Sequence, residues 1–298
     1  MSNLPCEILD YIVDLLRGSQ TPLRNSCLVS KSWIPRTRRH LFVTVEFQTA
    51  KSLESWKKTF PDPLISPACY AKTLLIGGSR VVTGEGTEAG GWIASFSGVE
   101  HLELGGHDTH ARGWEVAFVL FHGFSPAIKS LIMTRSLLPF RRFFDLVLSF
   151  PLLEDLDMTQ CYDVPIDNGG DSDGLSTAVQ PSSLPVFTGS LALHLEGGSV
   201  GPVIHWLLSL PGGIHFQKLT FSWFWEEDVS PTLALTERCS HTLESLKVCW
   251  YLRGTSTRHL RPHMSFISVS RWAEVSFVRP LESNKAQGRG VSARVVES

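Results

Sequence analysis

The chain has 298 residues, of which 43% are hydrophobic and 19% charged, a composition typical of a globular protein and not of a disordered one. Its formal net charge of -2 provides no overall field for nucleic acid or for a membrane surface, so neither is an expected partner. The six cysteines form no Cys-x-x-Cys pair, and no run approaches about 18 apolar residues, so we expect an intracellular protein, cytoplasmic or nuclear, with reduced thiols.

The first forty residues predict three short helices. Pro5 suits the first turn of a helix, because its missing N–H group has no helical partner there. Thr21 and Pro22 restart the chain as a second helix that continues to Trp33, and Pro35 opens a third. The first helix has one apolar stripe at a helical period, formed by Ile8, Leu9, Ile12, Leu15 and Leu16. A unit of about 40 residues buries too little surface to fold securely alone, so its spare apolar surface predicts an interface.

Three motifs in this segment resemble the F-box family. They are Leu4-Pro5-x-Glu7-Ile8-Leu9-x-x-Ile12, then Leu28-Val29-Ser30-Lys31-x-Trp33, and finally Leu41-Phe42. The resemblance covers residues 1–42 and implies a non-catalytic subunit of an SCF-type cullin ubiquitin ligase, which selects a protein substrate for ubiquitin-dependent degradation. It also implies that a Skp-family adaptor docks on Leu4, Pro5, Ile8, Leu9, Ile12, Leu15, Leu28, Val29 and Trp33. The alternative is an ordinary helical hairpin that packs on its own domain.

After this segment, short stretches of alternating apolar and polar residues recur along the chain. Their apolar markers lie 25 to 37 residues apart and are Val45, Leu74, Leu102, Leu131, Leu156, Leu193, Leu219, Leu246 and Val275. Such short alternation predicts strands, and the stretches between them are long enough for helices. A strand followed by a helix at a near-constant period predicts parallel strands stacked side by side.

This period resembles that of irregular leucine-rich repeats, although the Asn or Cys ladder of strict repeats is missing. The two resemblances together imply an α/β fold, in which a three-helix F-box over residues 1–42 leads directly into a leucine-rich-repeat-like solenoid over residues 43–279. A segment rich in Asp, Gly, Ser and Pro predicts a loop insertion over residues 163–185, and residues 280–298 are expected to form a disordered tail. The alternative is a mixed α/β domain whose strand spacing happens to be regular.

No catalytic constellation stands out, and no cofactor or metal is expected. His107, Asp108 and His110 are metal-ligand and acid–base types, but no second ligand cluster with a recognised spacing accompanies them. The run Gly84-Glu85-Gly86 lacks the Gly-Lys-Ser/Thr ending of a phosphate-binding loop. We therefore expect a protein that is not an enzyme. Besides the ligase subunit, the open alternatives are a repeat scaffold acting outside ubiquitin ligation and, more distantly, a hydrolase around His107.

Two sets of residues are predicted to bind a protein partner, whose identity the sequence does not reveal. The first occupies the polar positions of the alternating stretches, which neighbouring strands would align on one concave surface: Glu103, Ile132, Asp157, His194, Thr220, Lys247 and Ser276. The second is aromatic and follows two consecutive strands: Trp223, Trp225, Trp250 and Tyr251. Large aromatic side chains are frequent binding hot spots, but they also often belong to the core or cap the last repeats.

Overall fold

Strands and helices alternate along most of the chain, and the fold is α/β with eight strands in one parallel sheet. The computed structural model describes residues 5–83, 89–108, 117–118, 120–122, 124–138, 140–163, 185–195, 199–223, 226–252, 269–277 and 291–297. The helices of this part are α1 (Cys6–Leu15), α2 (Gln20–Val29), α3 (Ile34–Leu41), α4 (Ala50–Thr59), α5 (Ser79–Thr83), α6 (Ala89–Ala94), α7 (Phe140–Leu148), α8 (Gly201–Leu208) and α9 (Val229–Arg238).

The strands follow the chain order across the sheet. They are β1 (Thr44–Phe47), β2 (Thr73–Ile76), β3 (His101–Asp108), β4 (Ser130–Leu138), β5 (Asp155–Thr159), β6 (Tyr162–Asp163), β7 (Ser190–His194), β8 (Lys218–Trp223), β9 (Ser245–Leu252), β10 (Val269–Phe277) and β11 (Val291–Glu297). The short β6 lies outside this order and pairs with the end of β4. The parallel strands that the spacing predicts are therefore present from β1 to β9.

The start of each N-terminal helix differs slightly from its predicted position. Pro5 is the residue that precedes α1, with an extended backbone, so the helix itself begins at Cys6. The second helix begins at Gln20 instead of Pro22. Pro22 still lies in the first turn, where an N–H group has no helical acceptor, so the proline does not disturb the helix.

The second helix is also shorter than predicted, because it ends at Val29 and not at Trp33. Ser30 is extended, and its hydroxyl oxygen accepts a hydrogen bond from the backbone N–H of Ser32 at 3.3 Å. This bond starts a short 3-10 turn over Lys31–Trp33. Side-chain capping of this kind competes with continuation of the α-helix, and the periodicity of apolar residues does not reveal it.

Eight of the nine predicted marker residues lie in one row across the sheet, and one is wrong. The observed row is Val45, Leu74, Leu102, Leu131, Leu156, Leu191, Leu219, Leu246 and Val275. Leu191 thus takes the place predicted for Leu193. The sequence around β7 alternates through Leu191, Leu193 and Leu195, so a shift by two residues keeps every leucine on the same face. The pairing of β7 with β5 and with β8 distinguishes the two registers.

Hydrogen bonds at the start of each strand connect it to the preceding one. The backbone N–H of Lys129 donates to the carbonyl of Glu100 at 2.8 Å, and the N–H of Glu154 donates to the carbonyl of Lys129 at 2.8 Å. Equivalent bonds precede β2, β3 and β9. The same local geometry is therefore repeated from one strand–helix unit to the next.

The two last strands depart from the predicted parallel array. Strand β10 pairs antiparallel with β9, and β11 pairs antiparallel with β10. The prediction that Val275 lies in a further parallel strand is therefore wrong; antiparallel pairing needs no crossover helix. The sequence predicts a disordered tail over residues 280–298, whereas Val291–Glu297 form β11, where Val291, Ala293 and Val295 alternate with polar residues. Most of the predicted loop insertion, residues 164–184, lies outside the described residues.

The core lies on one side of the sheet, between the strands and the helices. Apolar residues that alternate along the strands are buried there, among them Leu131 and Met133 of β4, and they pack with Phe143 and Leu146 of α7. The intervening strand residues lie on the opposite face and are mostly half-buried or exposed. The sheet therefore has one covered face and one open face.

The N-terminal helices join the sheet without a linker. Helix α3 ends at Leu41, and β1 begins at Thr44. Between them, the Phe42 ring makes edge-to-face contacts with Trp56 of α4 and with Phe60, the residue after α4, at centroid distances of 5.6 Å and 5.9 Å. These aromatic contacts pack the junction between α3 and β1 against the end of α4.

Candidate functional site

Helix α1 has two apolar faces, one buried and one exposed. Val13 is only 1% exposed and faces the neighbouring helices. On another face Ile8, Tyr11 and Leu15 are 46%, 62% and 68% exposed. A helix that is apolar on more than one side normally buries each side against something. The outer face of α1 therefore has the composition of an interface.

The end of α2 also exposes apolar side chains. Leu28 and Val29 are 86% and 68% exposed, whereas Leu23 of the same helix is fully buried. The described residues include eleven large apolar side chains that are exposed, and five of them belong to α1 and α2. We call these five the N-terminal apolar surface: Ile8, Tyr11, Leu15, Leu28 and Val29. This concentration in two short helices distinguishes the surface from single exposed apolar residues, which are common.

The residues predicted to dock an adaptor fall into three groups. Those exposed to solvent are Pro5, Ile8, Leu15, Leu28 and Val29, and those half-buried are Leu9, Ile12 and Trp33. Leu4 lies outside the described residues. Tyr11 belongs to the exposed surface but was not predicted; its position three residues after Ile8 and four before Leu15 is the signal that would have identified it. The docking role of these residues stays a prediction.

A charged cluster holds α1 against α3. Arg36 donates from Nε to Asp14 Oδ1 at 2.7 Å, and its second guanidinium nitrogen contacts Oδ2 of the same carboxylate. His40 Nε2 also donates to Asp14 Oδ1, at 2.7 Å. The hydrogen bonds from Arg36 and then from His40 hold the pKa of Asp14 well below its ordinary value of 3.8, and the pKa of Arg36 is raised by the same pair. The cluster connects the two helices through Asp14 and Arg36, which are 22 residues apart in the chain.

We expect Asp14→Asn to lower the melting temperature at neutral pH, because the amide loses the bidentate charged pair with Arg36. The pKa of Asp14 is lower in the folded state, so its contribution to stability is complete above pH 3.8 and is lost as the pH falls through the folded-state pKa. The melting-temperature difference between wild type and Asp14→Asn should thus be constant from pH 7 to pH 5 and shrink below about pH 4. A difference that grows on acidification would contradict this assignment.

The open face of the sheet carries most of the residues predicted to line a concave surface. One row across β3 to β9 consists of Glu103, Ile132, Asp157, Ala192, Thr220 and Lys247. His194 and Ser276 take positions on the same open face, as predicted, but in neighbouring rows. Ala192 takes the place of His194 because of the two-residue shift in β7, and Ser276 pairs with Ser245 because β10 is antiparallel. A binding role for Glu103, Asp157 and Lys247 stays a prediction.

His194 lies in the next row of this face, beside Thr159. Its Nδ1 is 2.6 Å from the hydroxyl of Ser222, and burial lowers the pKa of the imidazole. The Thr159 hydroxyl donates to Asp157 Oδ1 at 2.7 Å. These are the residue types of a hydrolase, but Ser222 is only 4% exposed, so its hydroxyl is not accessible to a substrate.

The remaining predicted features are only partly within the described chain. The backbone of His107 and Asp108 ends β3, but their side chains, the whole of His110 and the run at residues 84–86 lie outside the described part. Over the residues that the structure describes, no group of three or more His, Cys, Asp or Glu side chains is arranged to hold a metal ion. No helix among the described residues is long and apolar enough to span a membrane.

Three residues of the predicted aromatic patch lie within strands, not after them as the sequence predicts. Trp223 ends β8 and pairs in register with Trp250, and Tyr251 is also within a strand, so these three residues do not follow their strands as predicted. Trp225 lies outside the described residues, as do the side chains of the other three. Their contribution to partner binding stays a prediction.

A hollow of about 440 Å³ opens beside β1, the strand at the edge of the sheet. Its lining combines aromatic rings, hydroxyl groups and one carboxylate, from Phe42, Trp56, Phe60, Ser52, Ser55, Thr59 and Glu46 among others. The buried indole Nε1–H of Trp56 has no hydrogen-bond partner within the described part of the chain. The hollow offers donors and ring faces, but no set of groups selects one ligand.

No protein-family model, no curated protein and no solved structure matches this chain.

Proposed function

We propose that this chain is the substrate-recognition subunit of an SCF-type cullin ubiquitin ligase. Its first 42 residues would act as an F-box that docks a Skp-family adaptor. Its strand–helix units would form a leucine-rich-repeat-like solenoid that holds a protein substrate. The proposal combines the F-box motifs of the sequence with the geometry of two surfaces.

The observation that carries the proposal is the N-terminal apolar surface. Burying a fully exposed leucine or isoleucine contributes about 1.5–3 kcal/mol, so five exposed apolar side chains on two helices represent a large unused driving force for association. Three of the five belong to the Leu-Pro-x-Glu-Ile-Leu and Leu-Val-Ser-Lys-x-Trp motifs, namely Ile8, Leu28 and Val29. The residues that carry the resemblance are therefore among those free to contact a partner.

The strand array supports the second half of the proposal. Strands that pair in chain order, with the same hydrogen bonds at each strand start, are typical of repeat architectures, in which each unit contacts its neighbours. The open face of such an array is a continuous surface for a protein partner. The short junction between Leu41 and Thr44 would hold a bound substrate at a constant orientation to the adaptor.

A binding experiment with a purified Skp-family adaptor tests the proposal. We expect a stable one-to-one complex on size exclusion, and we expect Pro5→Ala combined with Trp33→Ala to weaken it at least about tenfold. Circular dichroism of the double variant separates loss of binding from loss of folding. Absence of a complex with the folded wild-type chain would refute the ligase function and favour a repeat scaffold that binds proteins outside ubiquitin ligation.

A further inference from the structure

Acidic and aliphatic side chains alternate across the first five strands, on the open face of the sheet. The pairing registers place Glu46 beside Leu75, Leu75 beside Glu103, Glu103 beside Ile132, and Ile132 beside Asp157. All five are half-buried or exposed, and we call them the acidic–aliphatic row. The alternation appears only when the strands are aligned, because each residue comes from a different unit of the chain.

The three carboxylates of the row carry negative charge on the open face of the sheet. Within the described part of the structure, none of them belongs to an ion pair. Glu46 accepts a hydrogen bond from the Gln48 side chain and Asp157 accepts one from Thr159, and both donors are uncharged. Asp155 lies on the same face, one row away, and adds a further carboxylate. This part of the open face therefore complements a basic partner.

The spacing of the row indicates the conformation of that partner. Neighbouring strands are about 4.8 Å apart, so the carboxylates lie on strands about 10 Å apart with an aliphatic residue midway. Seven residues of an α-helix span about 10.5 Å, and three to four residues span about half of that distance. In an extended chain, side chains on one side recur about every 6.7 Å, which does not fit this alternation. A helix laid across the strands fits both the charged and the apolar positions.

We propose that the acidic–aliphatic row binds an amphipathic helix of a protein partner, with Lys or Arg at every seventh position and an apolar residue midway. The basic side chains would meet Glu46, Glu103 and Asp157, and the apolar ones would cover Leu75 and Ile132. Identifying this partner with the ligase substrate rests on the proposed function; the binding itself does not.

The test uses the full chain and a synthetic helical peptide with Lys every seventh residue and Leu midway, followed by fluorescence anisotropy. We expect binding that weakens about tenfold or more between about 50 mM and 500 mM salt, because the charges are exposed. Two control peptides should bind at least about tenfold more weakly: one with Glu in place of Lys, and one that keeps the Lys and Leu residues but has central prolines that prevent the helix. Equal binding of either control would overturn the proposal.

Variants of the chain identify the surface. Glu103→Lys should lower the affinity for the Lys peptide at least about tenfold. A peptide with Glu at the central basic position should bind this variant again. Glu237→Lys is the matched control, because Glu237 is an exposed carboxylate on α9, away from the row. Unchanged binding by Glu103→Lys would refute the site. Adaptor binding measured on the same samples keeps the two proposals distinguishable: a chain that binds the adaptor but not the peptide would refute only this inference.

Discussion

Replacing Leu15 and Leu28 together by alanine is expected to weaken adaptor binding about 100-fold or more, with no change in melting temperature. Both side chains are largely exposed in the free chain, so their removal leaves no cavity. In a complex, each substitution would remove up to about 1.5–3 kcal/mol of binding free energy from apolar burial. A total of about 2.7 kcal/mol already corresponds to a 100-fold change in affinity. Titration calorimetry with the purified adaptor measures the change.

Leu233→Ala is the matched control for this double variant. Leu233 is also an exposed leucine, but it lies on α9, far along the chain from the N-terminal apolar surface. The control should bind the adaptor like the wild type. If the double variant also bound normally, the N-terminal apolar surface would not be the docking site.

Phe143→Ala is expected to lower the free energy of unfolding by about 3–5 kcal/mol, the usual cost of a phenylalanine-sized cavity. Phe143 is fully buried in α7, and its ring lies 5.9 Å from that of Phe118. Domains are typically stable by only about 5–15 kcal/mol, so this one substitution removes a large part of the total. Urea unfolding followed by circular dichroism and by tryptophan fluorescence measures the loss.

The neighbouring residue provides the comparison. Phe144 is half-buried and stacks on Trp206 of α8, with centroids 4.3 Å apart and ring planes 5° apart. We expect Phe144→Ala to cost about 1–2 kcal/mol, because the side chain is only partly buried, although its ring contacts with Trp206, Phe140 and Phe143 are lost. If Phe144→Ala lowered the free energy of unfolding more than Phe143→Ala did, the buried face of α7 would be wrongly assigned.

In the N-terminal helices, the periodicity of apolar residues predicts a helix but not which of its faces is buried. The stripe formed by Ile8, Leu9, Ile12, Leu15 and Leu16 is a correct prediction of a helix, but it merges residues that point in different directions. The structure separates buried Val13 from exposed Ile8 and Leu15, and it adds Tyr11 to the exposed set. Periodicity depends on one helix alone, whereas the buried face depends on where α3 packs and where Arg36 meets Asp14.

The sheet shows a second limit of the same kind. Apolar alternation correctly located all nine strands of the observed row, but it chose the wrong register in β7, where three leucines in alternate positions allow two registers. The predicted direction of β10 was wrong, because apolar residues alternate in the same way in a parallel and in an antiparallel strand.

The amino-acid sequence by itself determined the α/β class, the repeated strand spacing and the apolar N-terminal helices, because each strand and each helix has its own local apolar pattern. Only the tertiary structure decided which apolar side chains stay exposed, which leucine pairs with Leu156, and that Glu46, Glu103 and Asp157 form one row with Leu75 and Ile132. Those features join residues some 25 to 35 positions apart, and hydrogen bonds between strands, which no local pattern encodes, set their alignment.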